Sequence, residues 1–247
     1  MTMHRLALPV VLLLPLLGGC ADSTGPGGTG TVVLRLDNVV SGEPLALNTG
    51  TYTNAAGNAY TVSKLEYTVS DFELVGPGGT ASHADPYYRD ASDPGTRDLV
   101  LVDVPAGQYR TLRFTHGIPA DMNQAGAFPA LDNAGMAWPA AMGGGYHYMR
   151  HEGAYTPTGG GVANFTTHTG PSMGMDFSVP VDLTLPSIVN VADGETVTLE
   201  LEMDVNAWYD GTMYDFNDYG MIMGDPAAQT LLQGNGDDVW SVGSIQE

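Results

Sequence analysis

Apolar side chains recur at every second position through several stretches of this chain, and that period is what most limits its fold. Phe177, Val179, Val181, Leu183 and Leu185 alternate with small or polar residues, as do Val197, Leu199, Leu201, Met203 and Val205. A period of two gives an extended chain one apolar face and one wet face, so these segments read as half-buried β-strands. Thr31–Asp37 repeats the pattern through Val32, Leu34 and Leu36. Tyr60–Val75 is longer: Leu65, Tyr67 and Val69 share a face, then the parity shifts to Phe72 and Leu74, which predicts a bulge near Ser70 and Asp71. Asp98–Val104 and Gln108–His116 flank Pro105, Ala106 and Gly107 and read as a hairpin with a three-residue turn. Gly145–Glu152 and Gly161–His168 flank a glycine-rich loop, and Pro226–Leu232 reads as a short helix near the C-terminus. Strands with one apolar face must pack face to face, so the expected fold class is all-β, an antiparallel β-sandwich. Two long irregular insertions, Gly76–Thr96 and Ile118–Gly144, interrupt it, and loops of that length are where function concentrates.

The first nineteen residues are expected to belong to no fold. His4 and Arg5 precede an apolar run, Leu6 to Leu17, that contains Pro9 and Pro15. The run is shorter than the about 20 apolar residues a bilayer span needs, and it has the length of a signal-peptide core. It ends in Leu17, Gly18, Gly19 and Cys20, the pattern of a lipobox, and Cys20 is the only cysteine in the chain. A lone thiol in an oxidising compartment has no internal disulfide partner, and lipidation gives it a use. The sequence therefore predicts a lipoprotein signal peptide over 1–19 and a lipidated Cys20 with a small, polar tether over 20–30. A single domain follows over 31–247, held by the lipid at a membrane of the bacterial cell envelope, facing the periplasm or the cell surface.

Lys+Arg number 8 against Asp+Glu 28, a net charge of −20. Phosphate backbones need clustered cations, so nucleic acid is excluded as a partner. Nucleotide-loop, serine-hydrolase and zinc-protease signatures are absent, and Cys20 is committed to lipid, so the chain does not read as an enzyme. The acidic residues Asp204, Asp210, Asp215 and Asp218 do not have the spacing of a calcium loop.

Histidine and methionine are the better lead. His147, Met149 and His151 alternate along one expected strand and so should share a face. Residues i and i+4 on a strand lie about 13 Å apart, too far for one ion, so a metal site needs a second strand. If the hairpin turns near Thr156–Thr158, His168 lies opposite or nearly opposite His147, with Cβ atoms about 5 Å apart. His116 shares the inward face of Leu112 and Phe114 and is a candidate third ligand from another strand. Ten of the 12 Met fall between Met122 and Met223, and thioether with imidazole is a donor set that favours copper, Cu(I) above all. His83 lies in a polar loop and reads as solvated. Two other readings compete. A glycan-binding or adhesion sandwich would expose aromatics such as Tyr146, Tyr148, Trp208 and Tyr209. An enzyme would pair carboxylates such as Asp204 and Glu152 in a cleft.

Three segments carry a family resemblance. Tyr60-Thr-Val-Ser-Lys-Leu-Glu-Tyr-Thr-Val-Ser-Asp-Phe-Glu-Leu74 resembles a strand of the form Y-x-V-x-x-L-x-Y-x-x-S-x-x-x-L. Leu112-Arg-Phe-Thr-His-Gly-Ile118 resembles a strand end F-x-x-G-[VI]. Met136-Ala-Trp-Pro139, Gly145-Tyr-His-Tyr-Met-Arg-His-Glu-Gly153 and Phe165-Thr-Thr-His-Thr-Gly170 resemble a run M-x-W, G-Y-x-F-x-K-x-E-G, F-x-x-H-x-G. These are features of the MbnP-like family, copper-binding periplasmic proteins first associated with methanobactin operons. The resemblance implies a copper-binding β-sandwich in which a tryptophan can be oxidised to kynurenine by a partner di-haem MauG-like peroxidase. It matches His168 to a ligand position and Trp138 to the tryptophan. His147 and His151 depart from the pattern, standing where the family often has other residues.

Overall fold

In the computed structural model the described residues are 27–247. The signal segment, Cys20 and the first part of the tether lie outside them. In chain order the strands are β1 (Thr29–Val40), β2 (Glu43–Pro44), β3 (Tyr52–Thr53), β4 (Ala59–Gly76), β5 (Gly79–His83) and β6 (Tyr87–Asp90). They continue with β7 (Asp98–Pro105), β8 (Gly107–His116), β9 (Met149–Tyr155), β10 (Ala163–Thr169), β11 (Val179–Val191), β12 (Thr196–Asp204) and β13 (Trp240–Gln246). Two α-helices, α1 (Pro129–Asn133) and α2 (Pro226–Asn235), and four three-residue 3-10 helices complete the regular elements among the described residues. Strand β1 begins at Thr29, inside the stretch expected to be tether.

The strands form two sheets, as an all-β sandwich requires. One runs β13-β12-β1, with β7 and β2 along the free edge of β1. The other is built on β4. Its Tyr60 pairs with both β3 and β9, its Glu66 with β9 and β6, and its Leu74 with β5 and β8. Hence β3, β6 and β5 follow one another along one edge of β4, and β9 and β8 lie end to end along the other, with β10 and β11 outside them. Leu34, Leu36, Leu199 and Leu201 face Tyr67, Val69, Phe114 and Phe165 across the interior, all buried.

Three details differ from the sequence expectation. The β1–β12 pair is parallel, within a sandwich otherwise antiparallel among its named strands. The β7–β8 connection is not a hairpin: β7 pairs with β1 and β8 with β4 and β11, so Pro105–Gly107 carries the chain from one sheet to the other. The insertions are partly regular, the first supplying β5 and β6 and the second α1. The bulge expected near Ser70 is present, as a register shift between Ser70 and Glu73 with Asp71 at φ 55.

Helix α2 shows why the local sequence folds as it does. Pro226 stands at its first turn, where its missing N–H costs nothing. The Asp225 carboxylate accepts hydrogen bonds from the Ala227 and Ala228 amides at 3.0 and 3.2 Å, a cap worth about 1 kcal/mol. Ala228 and Leu232 are buried.

Candidate metal site

Two chain ends meet at one residue of β4. The Thr68 amide donates to the Tyr148 carbonyl at 2.9 Å, and the Gly117 amide donates to the Thr68 carbonyl at 2.8 Å. The Thr68 hydroxyl donates to the His147 carbonyl at 3.2 Å. The end of β8 and the approach to β9 are therefore locked side by side. Gly117 sits at φ +100, and a Cβ there would lie 2.7 Å from the Tyr148 ring, so glycine is what lets Tyr148 occupy this place.

The chain bends at Tyr148, and the bend sorts the histidines. Met149 and His151 alternate inward and are buried in the sandwich. His147 precedes the strand and faces the other way, its ring 5.3 Å from that of His168 and nearly perpendicular to it. The expectation that His147, Met149 and His151 share a face is thus corrected: the alternation in sequence continues through residue 147, but the strand does not. The β9–β10 register is also shifted by three from the expected one. His168 pairs with Arg150 and Thr169 with Met149, so the two imidazoles meet because of the bend, not because they are opposed.

The core histidines have other surroundings. His151 Nδ1 is 2.5 Å from the Tyr209 hydroxyl, beside Phe165 and Tyr60. His116 is packed against Trp208, Tyr67 and Trp240, and neither nitrogen has a hydrogen-bond partner. Burial pushes both groups down to about 3. His116 and Met149 lie on the inner face of the β4 sheet, and His147 and His168 meet on its outer side.

The outer pair has the hydrogen bonding of metal ligands. His147 Nδ1 lies 3.1 Å from the Met136 carbonyl. A carbonyl only accepts, so the proton is on Nδ1 and Nε2 carries a lone pair. His168 Nε2 lies 3.0 Å from Glu152 Oε1, so by the same reasoning Nδ1 carries the lone pair. Both lone-pair nitrogens are buried and partnerless. An imidazole that gives one N–H to a carbonyl or carboxylate while its other nitrogen is free has the outer-sphere pattern of a ligating histidine. Two imidazoles on one ion, with bonds of about 2 Å, bring their ring centres to roughly 5 to 6 Å for angles from tetrahedral to linear. The observed separation falls in that span.

Trp138 lies edge-on against His147, ring centres 4.8 Å apart, and its buried indole N–H has no partner. Gly170, just beyond β10, makes room for it: a Cβ there would lie 2.5 Å from the indole. Burial pushes His147 down to about 4. Burial also lowers His168, against the opposing pull of Glu152. Both rings are therefore neutral at neutral pH, as metal ligands must be. Arg150, on the same face, is held by Glu66 at 3.1 Å and by the Gly135 carbonyl at 3.0 Å. Among the described residues no group of three or more His, Cys, Asp and Glu is gathered for a metal. The imidazole pair is thus the donor set that these side chain types supply on this face.

The competing readings find little support. Tyr146, Tyr148, Trp208 and Tyr209 are all buried, so they offer no aromatic face to a glycan. Glu152 and Asp204 belong to strands of different sheets, and Asp204 serves as an acceptor for the Ser41 and Asn206 amides.

The fold and this site define an all-β sandwich with two imidazoles, one buried and one half-buried, paired on the outer side of one sheet. The MbnP family model matches residues 29–224, and the chain belongs to the MbnP family. In fold it is similar to the solved structure of MbnP from Methylosinus trichosporium, with a TM-score of 0.53 at 20% identity over 87% of this chain and 98% of that one. No curated protein matches the chain.

Proposed function

We propose that this protein is an exported lipoprotein, anchored through Cys20 at a membrane of the bacterial cell envelope, that binds one copper ion between His147 and His168. It acts by sequestering or handing over the ion, not by turnover. The observation that carries this reading is the pair of partnerless lone-pair nitrogens, each on a ring oriented by a bond from its other nitrogen. Membership of a family associated with methanobactin operons adds to it. Trp138 is the residue on which a partner di-haem MauG-like peroxidase would act, forming kynurenine beside His147.

The test is copper content after loading with Cu(I) and dialysis. The wild type should retain near-stoichiometric copper, and the His147→Ala/His168→Ala double variant should lose it. Equal copper in both would sink the reading. Native material should carry the mass signature of kynurenine in the Trp138 peptide, and Cys20→Ser should move the protein from the membrane to the soluble fraction.

A further inference from the structure

Inside the sandwich a phenol meets an imidazole. His151 on β9 and Thr167 on β10 stand opposite each other in register, both on the inner face. Tyr209, in the 3-10 turn Ala207–Tyr209 after β12, closes over them. None of the three has any exposed surface. The Tyr209 hydroxyl oxygen lies 2.5 Å from His151 Nδ1 and 3.2 Å from Thr167 Oγ1. A phenol has one hydrogen to give, and its O–H is a stronger donor than the N–H of a neutral imidazole. It therefore donates along the shorter contact, to His151, and accepts from the threonine hydroxyl. Burial raises the Tyr209 phenol and lowers His151 to about 3, so the proton rests on oxygen. Neighbouring phenols are aimed at weaker bases: Tyr60 at the Asn206 amide oxygen and Tyr214 at the Tyr219 carbonyl. The tyrosines also form a chain to the surface. The Tyr209 and Tyr214 rings are 5.3 Å apart, the Tyr214 and Tyr219 rings 5.0 Å, and Tyr219 is partly exposed.

We propose that Tyr209 and His151 form a redox-active pair that takes up an oxidising equivalent delivered at the surface by a one-electron oxidant, such as an oxygen-derived radical. One electron passes outward along Tyr209, Tyr214 and Tyr219 to the oxidant, which is reduced by that electron. A phenol that has lost an electron is a strong acid, and its proton crosses the short contact to His151 Nδ1. Tyr209 is left as a neutral phenoxyl radical and His151 as imidazolium, and no other bond changes. Tyr60 and Tyr214 have no base of this strength, so the radical rests at Tyr209, shielded from solvent. His151 Nε2 has no partner in the core, which makes the imidazolium costly to hold. The proton therefore returns to the phenol as soon as an electron does, and the pair is a temporary store. It does not depend on the imidazole pair outside the sheet.

The test oxidises the full chain with photogenerated tris(bipyridine)ruthenium(III), freezes it and records the radical by EPR and ENDOR. The wild type should trap a neutral tyrosyl radical coupled to one exchangeable proton, a coupling lost in heavy water. It should also show a nitrogen coupling that changes when histidine is isotopically labelled at its ring nitrogens. Tyr209→Phe, which deletes one hydroxyl, should abolish this radical, and Tyr214→Phe should slow its formation without altering its spectrum. The labelling result needs no variant, so it decides the matter even where Tyr209→Phe folds poorly. No trapped radical, a wild-type radical indifferent to the histidine label, or the same histidine-coupled radical in Tyr209→Phe would each overturn the pair. An unchanged rate in Tyr214→Phe would overturn the route.

Discussion

A buried imidazole with no partner records its environment in its titration. His116 lies between the sheets with neither nitrogen bonded, and burial holds it down to about 3, against about 6.5 in an unfolded chain. Between these values the unfolded state binds the proton and the folded state does not. Stability is therefore full above pH 6.5 and is lost as the pH falls toward 3, by an amount on the order of a few kcal/mol. Urea unfolding midpoints at pH 7.5 and 4.5 would measure the loss. His116→Leu should lose less stability than the wild type over the same interval, and identical losses would show that His116 does not drive the acid response. The sequence placed His116 inward correctly from its parity with Leu112 and Phe114. It could not show that inward meant away from His147, because that depends on which side of β4 the neighbouring chain approaches.

At the scale of elements, helix α2 acts as a brace for the site. Gln229 on α2 joins the Met223 carbonyl to the Gly170 amide, so one side chain ties the turn that precedes the helix to the residue against which Trp138 rests. Gln229→Ala would leave the buried Gly170 N–H unpaired, a loss of about 1 to 3 kcal/mol. It should also raise backbone hydrogen exchange at Gly170. An exchange rate there unchanged from wild type would show that the brace is not needed. Period-two alternation made most strands legible, because parity is local. Pairing was less legible, for a physical reason: a turn such as Pro105–Gly107 has the same chemistry whether it folds a strand back on its neighbour or sends it across the core. The bend at Tyr148 was hidden likewise. The sequence goes on alternating through His147, Met149 and His151, and only the packing of Tyr148 over Gly117 pulls residue 147 out of the strand. The single bridge of Met221 to Thr166 involves too few residues to announce itself by period.

Over the whole molecule, the dominant long-range force is self-repulsion. A net charge of −20 works against the compact state. Opposing it are surface ion pairs such as Arg35–Asp98, Arg97–Asp37 and Arg113–Asp182, each worth about 0 to 1 kcal/mol. With only 8 cations for 28 acids, repulsion is the larger effect. Salt shortens the screening length from about 10 Å at 0.1 M to about 3 Å at 1 M, so the melting temperature should rise between those concentrations. A fall would mean that the ion pairs outweigh the excess charge.

The junction at Thr68 governs how such a molecule can change over time. The chain leaves β8 and re-enters at β9 at one residue of β4, so the excursion from 118 to 147, which carries Trp138 and His147, begins and ends at a single clasp. The cost of closing a longer excursion grows only with the logarithm of its length, so the clasp constrains the ends of the segment far more than its length. That segment has the connectivity of a cassette: it carries His147 and Trp138 between its two ends, while β10 holds His168 independently of it.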